Sequence, residues 1–165
     1  MQRLLEKHGF RVYPTPFQDW EFWGALTESA PLLGNEFSPW VRFGEPNVLD
    51  EYLAFVGVYQ LAKAKRTPTG YVPPPKSVLY VGEISRTLGE CLQEFANSTI
   101  NGRRSHGGGR AYYERYGSDT SDLFVSVLRV RSPALLRGDA VSLLERFLIW
   151  LYATRWGSSP KCDSK

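Results

Sequence analysis

The segment 56–85, VGVYQLAKAKRTPTGYVPPPKSVLYVGEIS, contains two apolar runs separated by a loop rich in proline and glycine. The first run lies in YLAFVGVYQLAKA, residues 52–64, and the second is SVLYVGEI, residues 77–84. Short apolar runs bounded by turn residues are typical of β-strands. Because the two runs are neighbours along the chain, we expect them to pair antiparallel.

Beyond this pair the sequence predicts a helix, a third strand and a long helix. SRTLGECLQEFAN has apolar residues at helical spacing, with Ser85 or Thr87 as its cap. DLFVSVLRVR predicts the strand, and GDAVSLLERFLIWLYATRWG predicts the long helix, capped by Asp139 and stopped by Gly157. The order β-β-α-β-α is that of an α+β domain, with helices flanking a small, mostly antiparallel three-stranded sheet.

The first 50 residues carry five prolines and predict a helical or irregular extension that packs on a domain at 51–165. Several aromatic residues of this extension are either core residues or platforms on which bases stack. They are Trp20, Phe22, Trp23, Trp40 and Phe43.

Composition limits the class of protein. A chain of 165 residues favours one domain, and a net charge of +3 excludes a histone-like tail while allowing a basic face. The two cysteines, Cys91 and Cys162, lack metal-site spacing and predict free thiols in a reducing compartment. The N-terminus is too polar for a signal peptide, and no apolar run reaches the roughly 18 residues of a membrane span. We therefore expect a cytoplasmic protein that does not bind a membrane.

Glu145 lies in the long helix, among residues that are almost all apolar. Such a helix is buried over most of its surface, so this carboxylate must contact something. It is either a carboxylate at the helix margin, paired near Arg146 or with Arg155, or one held at a cleft floor. In the second case a divalent cation would offset its desolvation cost.

The segment GRRSHGGGR, residues 102–110, combines glycine, arginine and histidine. Glycine lets backbone N–H groups approach an anion, and arginine binds phosphate through a planar fork. His106 is suited to proton transfer near neutral pH. No GK[ST] follows, which excludes a Walker A loop, and the alternative is a solvated loop without a ligand. The residues after it are compatible with a short helix.

Tyr59 and Tyr80 stand on the two adjacent strands, where their hydroxyl groups could meet on one face. Half-buried tyrosines are also common in ordinary strands, so this pair alone does not define a site.

Taken together, these features resemble the GIY-YIG endonuclease superfamily, and most closely its restriction-enzyme-like members. GVY at 57–59 and YVG at 80–82 stand where the family has GIY and YIG on neighbouring strands. ERFLIW then places Glu145 where the family has a glutamate in its long helix. The resemblance covers roughly residues 52–165, and the predicted element order agrees with the family fold.

The resemblance implies a metal-dependent endonuclease that hydrolyses phosphodiester bonds in DNA, in a restriction-type role on duplex substrate. Glu145 would bind Mg²⁺ or Mn²⁺, Tyr59 would activate or position the attacking water, and Tyr80 would assist near the scissile phosphate. Metal and arginine together would neutralise the developing negative charge. Cleavage of both strands would require two active sites, so a homodimer is expected in that case.

The arginine is not where many family members have it, because Cys91 stands at that position of the helix after YVG. RRSHGGGR resembles the arrangement of the restriction-enzyme-like members, which implies Arg104 or Arg103, with His106 as an added general acid or base. Arg86 and Arg110 are weaker substitutes for phosphate binding. Glu83 after YVG, and Asp163 in place of a late asparagine, are departures whose effect the sequence leaves open. The alternatives are a DNA-binding module that has lost catalysis and an interaction domain with no nuclease site.

Overall fold

The computed structural model describes residues 37–45, 49–52, 54, 56–84, 86–102, 106–129 and 138–163. The described chain is an α+β fold, as predicted, with a short 3₁₀ helix at Asp50–Tyr52. Its strands are β1 (Val41–Arg42), β2 (Gly57–Lys63), β3 (Val78–Ile84) and β4 (Leu123–Arg129). Its helices are α1 (Leu88–Asn101), α2 (Gly107–Tyr116) and α3 (Gly138–Trp156).

The sheet has four strands in the order β1-β4-β2-β3, and every pair is antiparallel. The prediction of three strands was therefore wrong. β1 is only two residues long, too short to produce a periodic pattern, and it is fixed by contacts around Ser38. The Ser38 N–H donates to the Val127 carbonyl at 2.8 Å, and the Ser126 hydroxyl donates to the Ser38 carbonyl at 2.7 Å.

The element order also differs from the predicted β-β-α-β-α, because α2 lies between α1 and β4 as a full helix of ten residues. Its first three residues are glycines, which have poor helix propensity and hid its start from the sequence pattern. The antiparallel pairing of the first two predicted strands is confirmed, with Tyr59 opposite Gly82.

The two faces of the sheet are covered by different helices. Alternation along β2 sends Tyr59 and Leu61 to the face that packs on α1 and α2. Val58 and Ala62 point to the other face, which packs on α3. Both faces are buried, which explains why the strand sequences are almost continuously apolar.

The helix ends follow local sequence. Thr87 caps α1 in a capping box with Glu90, which confirms one of the two predicted caps. α3 begins at Gly138, one residue before the predicted cap Asp139. It ends at Trp156, followed as predicted by Gly157 in the left-handed region with φ +76°.

Replacing Thr87 with alanine is expected to lower the free energy of unfolding by about 1 kcal/mol. The substitution removes the side-chain oxygen that accepts the Glu90 N–H and the hydroxyl that donates to the Glu90 carboxylate. Urea denaturation measures the change, and Thr87→Ser is the matched control because serine keeps the accepting oxygen. Equal stability of the wild type and the alanine variant would contradict the capping role.

The loop between β2 and β3 is held to the core by side-chain hydrogen bonds to its backbone. Trp40 donates to the Gly70 carbonyl and Gln60 to the Tyr71 carbonyl, each at 3.0 Å. The Tyr71 ring stacks on both Trp40 and Phe37. Trp40 is therefore a buried core residue rather than an open stacking platform.

The remaining predictions for the extension and the cysteines have mixed outcomes. Phe43 packs edge-on against Phe95, whereas Trp20, Phe22 and Trp23 lie outside the described residues. Cys91 and Cys162 are both buried free thiols, as predicted. None of the described helices combines the length and the apolar character needed to cross a bilayer.

Candidate functional site

The glycines of GVY and YVG are required because neighbouring atoms pack where a Cβ would lie, and not because the chain turns there. A Cβ at Gly57 would lie 2.0 Å from the Leu128 carbonyl oxygen of β4. A Cβ at Gly82 would lie 2.6 Å from ring carbons of both Tyr59 and Tyr80. Gly82 thus provides the space in which the two aromatic rings lie against the strand.

The two tyrosines converge on one face of the sheet. Their ring centroids are 5.8 Å apart, at an interplanar angle of 52°. Tyr59 is fully buried, with 0% of its surface exposed, whereas Tyr80 is half-buried. Tyr80 is therefore the more exposed residue of the two.

His106 joins this pair from the start of α2. Its Nε2 lies 2.8 Å from the Tyr59 hydroxyl oxygen, and its ring packs edge-on against Tyr80 and Phe95. Its backbone N–H donates to the Ser98 hydroxyl of α1 at 2.9 Å. His106 is also the N-cap of α2, because its Nδ1 accepts the Gly109 N–H at 3.1 Å.

The role expected for the glycines after His106 needs correction. They form the first turn of α2 rather than part of a loop that cradles an anion. A Cβ at Gly108 would lie 2.5 Å from the Tyr80 ring, and one at Gly109 would lie 2.7 Å from the Ser98 Cβ. Two of the three glycines therefore allow α2 to pack closely on Tyr80 and on α1.

Glu145 is a buried carboxylate, with 1% of its surface exposed, on the side of α3 that faces β3. Its Oε1 accepts the backbone N–H of Glu83 at 3.2 Å. The Ser142 hydroxyl, one helical turn earlier, donates to the Glu83 carboxylate. The alternative pairing with Arg155 is not what the structure shows, since that guanidinium lies over the Trp156 ring.

The electrostatics of the tyrosines show which charges surround them. Burial raises the pKa of Tyr59 well above its usual 10.0, with Tyr80 and Glu145 adding to the effect. Burial also raises the pKa of Tyr80, followed by the negative charges of Glu145, Asp163 and Glu83. Both phenols are therefore neutral at physiological pH, and the negative charges that act on Tyr80 come from residues far from it in sequence as well as from Glu83.

The protein is expected to lose stability above about pH 10, partly because of Tyr59. The raised pKa keeps Tyr59 neutral in the folded state while the unfolded chain ionises near 10.0, so the free energy of unfolding falls as pH rises. One such group steepens the fall by up to about 1.4 kcal/mol per pH unit. Urea unfolding of wild type and Tyr59→Phe over this range measures it. The variant should show the shallower slope, and identical slopes would contradict the assignment.

The two predicted phosphate-binding arginines that the structure describes are each paired with a glutamate. Arg86 pairs with Glu94 at 2.6 Å, and Arg110 pairs with Glu114 at 2.7 Å. Both arginines are solvent-exposed, so these pairs are weak and an anion could replace either glutamate. Arg103 and Arg104 lie outside the described residues.

Sequence reasoning missed the residues that support this site. Ser98 fixes the backbone of His106, the Gly109 N–H donates to its ring, and Ser142 orients Glu83. Ser98 is a small polar residue on the buried, apolar face of α1. That position was the available indication in the sequence that Ser98 makes a buried polar contact.

Carboxylate oxygen is the ligand type that Mg²⁺ and Mn²⁺ prefer, so Glu145 and the neighbouring Glu83 fit such an ion chemically. Within the described ranges, no three His, Cys, Asp or Glu side chains group closely enough to hold a metal by themselves. Mg²⁺ commonly takes only one or two protein carboxylates and completes its shell with waters and substrate phosphates. The donor set around Glu145 is compatible with that mode of binding.

No protein-family model, curated protein or solved structure matches this chain.

Proposed function

We propose that this protein is a metal-dependent endonuclease of the GIY-YIG type that hydrolyses phosphodiester bonds of duplex DNA in a restriction-type role. The observation that carries the proposal is the convergence of Tyr59, Tyr80 and His106, with the buried Glu145 acting on both tyrosines. These four residues also follow the order of the motifs that resemble that family. Coincidence of motif order and spatial convergence is stronger support than either alone.

In this proposal Glu145 would hold a Mg²⁺ or Mn²⁺ ion, which when bound would supply Lewis-acid chemistry for phosphodiester hydrolysis. The tyrosine pair, kept neutral by burial, positions the attacking water and the scissile phosphate through hydrogen bonds. His106 supports Tyr59 through the 2.8 Å contact. Arg104 or Arg103 would supply the positive charge for the phosphate, with Arg86 and Arg110 as further DNA contacts.

The wider biology follows from the same proposal. The partner is DNA, and cutting both strands would require a homodimer that presents two sites. The prediction of a cytoplasmic protein is in keeping with the buried free thiols.

Plasmid cleavage tests the proposal. Supercoiled plasmid is incubated with wild type and with the Tyr59→Phe/Tyr80→Phe double variant, in Mg²⁺, in Mn²⁺ and in excess EDTA. We expect nicked or linear product only with wild type and a divalent ion. Equal cleavage by the double variant would indicate a contaminating nuclease, and absence of cleavage by wild type on DNA of varied sequence would contradict the proposal.

A DNA-binding module that has lost catalysis is the second candidate. It is favoured by Cys91, a buried residue where an arginine is expected, and by the glutamate partners of Arg86 and Arg110. It predicts DNA affinity that falls steeply with salt, without cleavage in any divalent ion. Cleavage that depends on Tyr59 would exclude it.

A further inference from the structure

The hydrogen bond at the start of α2 determines which ring nitrogen of His106 carries the proton. A backbone amide can only donate, so the Gly109 N–H at 3.1 Å requires a lone pair on His106 Nδ1. A neutral imidazole with a lone pair on Nδ1 carries its proton on Nε2. Nε2 lies 2.8 Å from the Tyr59 oxygen, so Nε2–H is the donor and Tyr59 is the acceptor.

The direction of this bond defines what Tyr59 does in the site. Its oxygen accepts from His106, and its ring packs against that of Tyr80, with the two ring centroids 5.8 Å apart.

Tyr80 is the more exposed residue of the two tyrosines. Tyr59 has 0% of its surface exposed, whereas Tyr80 is half-buried, and the negative charges of Glu145, Asp163 and Glu83 act on it. Gly82 and Gly108 leave the space for the Tyr80 ring between β3 and α2, so its position is fixed by packing.

We infer that Gly109, His106 and Tyr59 form a hydrogen-bond series polarised in one direction, in which His106 is a positioning donor to Tyr59, and that Tyr80, the more exposed tyrosine packed beside Tyr59, is the one that contacts the reacting oxygens. The inference rests on the proposed nuclease function for the identity of those oxygens. In this arrangement Tyr59 supports Tyr80 by ring packing, and His106 does not accept a proton from Tyr59.

¹⁵N NMR of the full-length protein with ring-labelled histidine tests the tautomer without any DNA. The chain has two histidines, His8 and His106, and His8→Gln assigns the signals. We expect a pyridine-type Nδ1 and a pyrrole-type Nε2 for His106 near neutral pH. Tyr59→Phe should move the Nε2 resonance and leave the tautomer unchanged. A protonated Nδ1 in the wild type, or a tautomer that changes in Tyr59→Phe, would overturn the inference.

Accessibility of the two hydroxyls is tested on the same protein with ¹³Cζ-labelled tyrosine and a soluble paramagnetic gadolinium chelate. Tyr59→Phe and Tyr80→Phe assign the two signals. The Tyr80 signal should broaden more than the Tyr59 signal. Equal broadening, or stronger broadening of Tyr59, would overturn the assignment of Tyr80 as the outer hydroxyl.

Cleavage kinetics give an independent measurement. His106→Asn keeps an oxygen that can cap α2 but has no donor at the Nε2 position, so the rate should fall about 10- to 100-fold. The shape of the pH–rate profile should stay the same. Loss of an acidic limb in the variant would identify His106 as a proton acceptor and contradict the inference. If the wild type does not cleave, the proposed function fails. The two NMR experiments still test the tautomer of His106 and the exposure of the two tyrosine hydroxyls.

Discussion

Replacing Glu145 with glutamine is expected to lower the rate of Mg²⁺-dependent plasmid cleavage by on the order of 1000-fold. The physical reason is the loss of one negative charge at a buried position from which a divalent ion would be held. Glutamine keeps an oxygen that can accept the Glu83 N–H, the bond that Glu145 Oε1 makes at 3.2 Å. The substitution therefore removes charge with little change in shape.

The matched control is Glu114→Gln, which removes an equal charge from an exposed glutamate that pairs with Arg110. This control should cleave at the wild-type rate and unfold at nearly the same urea concentration, because surface pairs contribute little. A Glu145→Gln variant that folds and cleaves within tenfold of wild type would contradict the metal-binding role.

The same variant has a consequence that does not depend on catalysis. The charge of Glu145 contributes to the raised pKa of Tyr80, so its removal should bring that pKa down towards the ordinary value. Difference absorbance of the phenolate, compared with Tyr80→Phe, reports the change. An unchanged titration would place Glu145 too far from Tyr80 to serve the same site.

The fold was predictable where the sequence pattern is local. The apolar runs around GVY and YVG gave the β2–β3 pair, and Thr87 gave the start of α1. β1 was not predictable, because a two-residue strand has no periodicity and depends on Ser38 meeting β4 more than 80 residues away. α2 was obscured by three glycines that disfavour a helix in isolation.

Three of the candidate site residues predicted from the sequence are in contact in the structure, but their arrangement was not predictable. Tyr59, Tyr80, His106 and Glu145 follow the order of a family pattern, and the structure brings the first three into contact. Chain order does not reveal which phenol is buried, because burial depends on how α1 and α2 cover the sheet. Composition likewise suggested that the glycines near His106 free N–H groups for an anion. In the structure two of these glycines instead leave room for neighbouring side chains.

Gly82 also leaves room for neighbouring side chains, and replacing it with alanine is the second large expected effect. The added Cβ would lie 2.6 Å from Tyr59 Cε1 and from Tyr80 Cε1, closer than carbon atoms can approach. Both rings are packed against other residues, Tyr59 against the core and Tyr80 against Gly108 of α2, so neither can move without displacing a neighbour. Overpacking of this kind costs about 1–3 kcal/mol of stability.

Cleavage should fall further than stability, because the ring that moves carries a hydroxyl of the site. A displacement of about 1 Å can reduce a rate by about 100-fold, and Gly82→Ala should therefore lose at least that much activity at temperatures where it is fully folded. Gly107→Ala is the matched control, since its Cβ would meet nothing within 4 Å. Alanine there should preserve cleavage and, within a helix, leave stability equal or slightly higher. A Gly82→Ala protein as active as Gly107→Ala would show that cleavage does not depend on the observed geometry of the tyrosine pair. It would also show that the glycine of YVG is not needed for cleavage.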